Sequence, residues 1–185
     1  MRRQGERESA QAIVIMGVSG SGKSTLASLL AAKLDCPFFE GDDFHSAANV
    51  AKMRGGEPLI DADRWPWLDR IGAALATAVK EDGLAVAACS ALRHGYRDRL
   101  RAAIGAPTDF ILLEVGRDEL MRRLSDRPHH YMPASLLDSQ LATLERPDET
   151  ERSLTLDSNL DPEELACRAM AWLTENGAAA ERKIA

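Results

Sequence analysis

Cysteine is scarce and unpaired in this 185-residue chain: Cys36, Cys89 and Cys167 stand far apart, with no Cys-x-x-Cys among them. An odd, scattered set excludes a disulfide framework and zinc-finger spacing. It points instead to free thiols in a reducing compartment. Long apolar runs are missing too. The first, residues 12–16, is too short for a signal-peptide core, and no later stretch approaches the roughly 20 residues that span a bilayer. Nor is there an excess of basic charge: 29 acidic against 23 basic residues leave a net charge of −6. That argues against a nucleic-acid or membrane-surface binder, which needs a spread-out basic face. Any anionic substrate must therefore meet a local cluster of Arg and Lys. No repeat, low-complexity tract or Ser/Gly/Pro-rich linker divides the chain. One soluble, cytoplasmic domain over residues 1–185 is expected, with its core at about 11–175.

What is present is an alternation of short apolar runs and longer segments of helical period. Residues 12–16 (Ala-Ile-Val-Ile-Met) read as a buried strand, followed by a Gly-rich turn. Leu26, Leu29, Leu30 and Leu34 then repeat at helical offsets. Residues 37–40 form a short second strand, and 64–81 a helix with Leu68, Ile71, Leu75 and Val79 inward. Residues 84–89 and 110–115 are the third and fourth runs, each followed by a helix, the first marked by Tyr96, Leu100 and Ile104. A weaker strand near 153–156 precedes a helix opened by Asp161-Pro162, an N-cap and N1 pair. This pattern predicts an α/β fold around a buried parallel sheet. Long loops at 41–63 and 126–134 are the places to look for function.

Gly17-Val-Ser-Gly-Ser-Gly-Lys-Ser24 fits G-x-x-x-x-G-K-[ST] between a strand and a helix, the context a P-loop requires. Backbone N–H groups from Gly17, Val18, Ser19, Gly20, Ser21 and Gly22 turn toward one point, at the positive end of the new helix. Lys23 then reaches the β- and γ-phosphates of ATP, the Ser24 hydroxyl ligates Mg²⁺, and Thr25 completes the nucleotide-binding segment. A P-loop alone leaves a switch, a motor and a phosphotransferase all open. The guanine-reading Asn-Lys-x-Asp of switch GTPases is missing, and motor ATPases are larger, so a small-molecule kinase fits best.

Further motifs narrow this. Gly41-Asp-Asp-Phe-His45, Asn49-Val-Ala-Lys-Met53, Gly56-Glu-Pro-Leu59, Asp61-Ala-Asp-Arg-Trp-Pro-Trp-Leu68 and Cys89-Ser-Ala-Leu92 with Tyr96-Arg97 closely resemble gluconokinases. So do His130-Tyr-Met-Pro133, Leu136-Leu-Asp-Ser-Gln140 and Thr143-Leu-Glu145, all in collinear order over about residues 12–157. The resemblance implies a P-loop fold like that of shikimate and nucleoside monophosphate kinases, with five parallel strands in the order 2-3-1-4-5. It also implies a lid at about 123–137, a substrate-binding region at about 41–68 and a homodimer. The implied reaction is ATP plus D-gluconate giving ADP plus 6-phospho-D-gluconate, a catabolic step feeding the pentose phosphate or Entner–Doudoroff route.

Within that resemblance, Asp42 and Asp43 stand just past strand two, at the carboxyl edge where open α/β sheets bind ligands. Alignment with the Asp-x-Asp of shikimate kinases favours Asp42 as the group that deprotonates or positions the attacking hydroxyl. An Asx-turn role is the alternative. Gluconate's carboxylate calls for a guanidinium fork, with Arg64, Arg93 and Arg97 available, and its hydroxyls for donors such as His45 and His130. Arg123 and Arg127, four residues apart before the lid, are placed to close over the transferring phosphoryl group. The chain departs from the pattern in two places. Strand three ends Ala88-Cys89-Ser90, without the Asp of a Walker B strand, and the lid carries Pro128, which restricts its backbone. Trp65-Pro66-Trp67 reads first as a structural corner.

Overall fold

The computed structural model describes residues 10–126 and 136–177. Five parallel strands form one sheet in the order β2-β3-β1-β4-β5, as the resemblance implied. They are β1 (Gln11–Met16), β2 (Phe38–Glu40), β3 (Leu84–Ala88), β4 (Thr108–Glu114) and β5 (Ser153–Asp157). The helices between them are α1 (Lys23–Leu34), α2 (Ala47–Arg54), α3 (Asp61–Asp82), α4 (His94–Ile104), α5 (Arg117–Ser125), α6 (Leu137–Thr143) and α7 (Pro162–Gly177).

The central strand shows why the run at 12–16 is continuously apolar. Successive side chains point to opposite faces of a strand, and here both faces are covered. Ala12, Val14 and Met16 pack with Leu68, Ile71 and Leu75 of α3 and Leu100 of α4. Ile13 and Ile15 pack on the other face with Leu26 and Leu30 of α1 and Ala166 and Ala169 of α7. Each fully buried Ile or Leu contributes about 1.5–3 kcal/mol relative to exposure. A polar residue anywhere from Ala12 to Met16 therefore disturbs one core or the other.

This layering also fixes where a ligand binds. Neighbouring strands β3 and β1 lead into helices on opposite faces, α4 beside one core and α1 beside the other. A crevice opens at the carboxyl ends of such strands, at the topological switch point. The P-loop follows β1, Asp42 follows β2 and Ser90 follows β3, so all three converge there.

Two segments differ from the sequence reading. The stretch 41–63 is not an open loop: it holds a 3₁₀ turn (Gly41–Phe44) and α2, whose N-cap Ser46 accepts from the Asn49 N–H at 3.1 Å. Helix α3 starts at Asp61, one turn before the expected 64. The Asp63 carboxylate caps the Ile60 N–H at 3.0 Å, which lets the helix begin ahead of Pro66 rather than at it.

Candidate active site

The cleft is lined on one side by Ser19, Gly20, Gly22, Lys23, Ser24 and Thr25 of the P-loop. Gly17 turns the chain out of β1 at φ 137°, and a Cβ there would meet the Leu113 carbonyl oxygen at 2.8 Å. Its N–H donates to the Ser90 carbonyl at 3.2 Å, tying the loop to the end of β3. The first turn of α1 carries no acidic residue, unlike those of α3, α5 and α7. Its positive end is thus left for an anion. The Lys23 ammonium donates to the Val18 carbonyl at 2.9 Å, bent back over the loop it serves. Ser24 and Thr25 are exposed to the cleft.

Asp42, His45 and Arg64 line the other side. Asp42 is held just past β2 because Gly41 lets the chain pass close to β3: a Cβ on Gly41 would sit 2.3 Å from the Ala88 carbonyl oxygen. Trp67 reinforces this turn, its indole N–H donating to the Gly41 carbonyl at 2.8 Å. Trp67 is buried and forms the structural corner expected of it, and it also stacks on His45. Burial pushes the His45 imidazole down to about 4, against an opposing pull from Asp42, so the ring is neutral at neutral pH. Asn49 Nδ2 donates to the Asp63 carbonyl at 2.9 Å and faces His45 Nδ1 at 3.5 Å. A donor facing Nδ1 assigns the ring proton to Nε2, the nitrogen 4.0 Å from Asp42 Oδ1.

Arg64 lies in the first turns of α3, its guanidinium 5.5 Å over the Tyr96 ring. Its Nε is buried with no hydrogen-bond partner among the described residues. A buried, unpartnered guanidinium N–H is costly unless a ligand acceptor completes it.

Arg97 is a correction. Expected in the cleft, it is fully buried behind it: Nε and Nη2 each donate to Glu151 at 2.7 Å, and Nη1 to the carbonyls of Ala91 and Glu145. It shares the inward stripe of α4 with Leu100 and Ile104, so its fork reaches the 144–152 segment and not the cleft. Arg93 is exposed and reaches Asp61 at 3.4 Å, outside the cleft lining. Arg123 also lies outside the lining. It donates to Glu119 and to the Ser158 hydroxyl, both at 2.7 Å, while that hydroxyl donates to the Ser21 carbonyl at 2.6 Å. In this conformation Arg123 braces the back of the P-loop. Arg127 and His130 lie outside the described residues, as does most of the expected lid.

Helix α6 supplies cleft residues to which the sequence reading gave no role. Leu136, Ser139, Gln140 and Thr143 fall at offsets of three, four and seven, one helical face, and all line the cleft. That spacing was a usable signal within the Leu136-Leu-Asp-Ser-Gln140 motif.

A family model described as an AAA domain matches residues 13–147. A gluconokinase from Gluconobacter oxydans is 46% identical over 151 residues, covering 82% of this chain and 84% of its own. The chain belongs to the gluconokinase family. The thermosensitive gluconokinase of Escherichia coli, another member, is 40% identical over 153 residues, covering 82% of this chain and 81% of its own. Among solved structures, a gluconokinase from Sinorhizobium meliloti superposes with a TM-score of 0.84 at 39% identity, covering 95% of this chain and 98% of that one. The family's members are kinases, and the P-loop, Asp42 and Arg64 described above line one cleft here.

Among the described residues no group of three or more His, Cys, Asp and Glu gathers to hold a metal ion. No helix among them is long and apolar enough to cross a membrane.

Proposed function

We propose that this protein transfers the γ-phosphoryl group of ATP to the 6-hydroxyl of D-gluconate. The observation that carries the reading is Arg64. Its buried Nε lacks a partner among the described residues, and it shares one cleft with Lys23 of the P-loop and with Asp42. A guanidinium fork matches a carboxylate, and gluconate carries that carboxylate at one end of an extended six-carbon chain. Anchoring C1 at Arg64 sends the opposite end, C6, along the cleft toward the phosphates.

The residues then divide the work. P-loop N–H groups and Lys23 hold the β- and γ-phosphates and neutralise charge that builds on the transferring group. Asp42 orients the 6-hydroxyl and accepts its proton. With a loose transition state, positioning is the larger share of that role. His45, neutral and protonated on Nε2, donates to a substrate hydroxyl beside Asp42. Arg123 and Arg127 close over the phosphoryl group with the lid, and His130 adds a hydroxyl contact. For Arg123 this means giving up its hold on Ser158.

Mg²⁺ fits the donors present: the Ser24 hydroxyl and the Asp42 carboxylate are hard oxygen ligands, and phosphates and water complete the set. Ser24 and Asp42 would hold the ion, and bound with ATP it would neutralise part of the phosphate charge. Cytoplasmic location and pairing into a homodimer belong to the same reading and rest on the family resemblance; light scattering reads the second directly. Phosphorus–proton correlation NMR of the product tests the position of transfer. Coupling of the new phosphorus to the two C6 protons is the expected result, and coupling to any other carbon's proton contradicts it.

A further inference from the structure

One contact of the cleft has no part in the chemistry above. The backbone N–H of Ser19 donates to the side-chain carbonyl of Gln140 at 2.7 Å. Ser19 is buried in the P-loop, whose N–H groups converge to hold phosphate oxygens. A carboxamide oxygen seated on one of them is a neutral stand-in for a phosphate oxygen. It comes from α6, and α6 is gripped from both sides. Leu137 packs with Val18 of the P-loop, while Leu136 packs with Met53 and Leu59 of the acceptor side. Gln140 therefore sits on the seam between nucleotide and acceptor.

An amide suits that seam for a chemical reason. It accepts through oxygen and donates through nitrogen, and its last torsion is soft, so half a turn reverses its polarity. A carboxylate in its place only accepts, and a thioether does neither well. We propose that Gln140 is a positioning residue for the γ-phosphoryl group. Without nucleotide its Oε1 caps the Ser19 N–H. When a γ-phosphate oxygen takes that N–H, the amide turns over and its Nε2 donates to the phosphoryl group, holding it toward the acceptor. ADP lacks the group that forces the exchange. The proposal rests on the phosphotransferase reading above.

Titration calorimetry without acceptor tests it, using Mg·ADP and the Mg complex of β,γ-imido-ATP on the wild type, Gln140→Glu and Gln140→Met. In Gln140→Glu, which keeps the acceptor on Ser19, the imido analogue should weaken by about tenfold or more and ADP by less than about threefold. Lowering the pH from 8 to 5.5 should recover analogue affinity in that variant beyond any wild-type change, as the carboxyl regains a donor proton. In Gln140→Met, kcat should fall about tenfold or more while the KM for D-gluconate moves less than about threefold. Equal weakening of ADP and analogue, or an unchanged kcat in Gln140→Met, would overturn the proposal and leave Gln140 a brace for the loop. Thermal melts of both variants confirm that folded protein is being titrated. The nucleotide arm needs no gluconate, so its failure is separate from failure of the wild type to use gluconate.

Discussion

The imidazole of His45 lies flat against the indole of Trp67, ring centroids 4.3 Å apart and planes 10° apart. The same indole donates to the Gly41 carbonyl, one residue before Asp42. Two substrate-side groups thus share one buried support.

That support has a pH signature. His45 is lowered by burial from 6.5 to about 4. A depressed histidine favours the neutral form in the folded state, so its contribution to stability is full above about 6.5 and is lost as pH falls toward 4. The melting temperature should drop over that window, and less so in His45→Gln. Proton NMR should show one imidazole titrating near 4; a His45 titrating at 6.5 would mean that the ring is not enclosed.

Arg64→Met should raise the KM for D-gluconate by about ten- to a hundredfold, the loss of a charge-assisted hydrogen-bonded pair, with ATP binding unchanged. Arg64→Lys should recover only part, because an ammonium lacks the fork. Steady-state kinetics with each substrate varied in turn checks both. An unchanged gluconate KM would remove Arg64 from the carboxylate site.

Arg97→Met should behave differently. It breaks a buried ion pair and leaves Glu151 enclosed, at a cost of about 3–5 kcal/mol in stability. The kcat of the folded fraction at low temperature should stay within about threefold of wild type, since Arg97 is buried outside the cleft lining. Burial alone would raise the Glu151 carboxyl, but hydrogen bonds from Arg97 and Arg101 hold it down at about 2. A depressed carboxyl stabilises above its unfolded value and loses that contribution as pH falls from about 4.5 toward 2. Acid unfolding should therefore begin at higher pH in the variant, as denaturant titrations across that range will show.

Gly41→Ala places a Cβ 2.3 Å from the Ala88 carbonyl oxygen, so the turn must shift. Asp42 shifts with it. Activity should fall by about tenfold or more, because small misplacements of a positioning group are costly. A crystal structure of the variant should show the 3₁₀ turn displaced from β3.

Local signals in the sequence carried the scaffold. The apolar run at 12–16, the P-loop after it and the Asp161-Pro162 cap all encode their structure within a few residues. Helix α2 is hard to read from sequence because its eight residues, Ala47–Arg54, carry little amphipathic pattern and are announced only by Ser46 at the cap. The place of Arg97 is hidden from the sequence for a different reason. Its offsets from Leu100 and Ile104 already put it on the inward stripe, but its partner Glu151 lies 54 residues on, and no local period reveals such a pair. Gln140 stands within a motif that does not reveal its role, since its contact with Ser19 exists only once α6 is packed on the P-loop.

Lys23→Ala should cost several kcal/mol of transition-state stabilisation, about a thousandfold or more in kcat, with the fold intact by circular dichroism. Near-normal turnover in that variant would remove Lys23 from the phosphate site.

Whether phosphoryl transfer requires D-gluconate is read from ADP release from Mg·ATP, followed with D-gluconate, with shikimate and with no acceptor. Release that depends on D-gluconate, with a product that 6-phosphogluconate dehydrogenase oxidises, is the expected result. Tight ATP binding with no release above background for any acceptor would contradict it and make the protein a nucleotide-binding regulator instead.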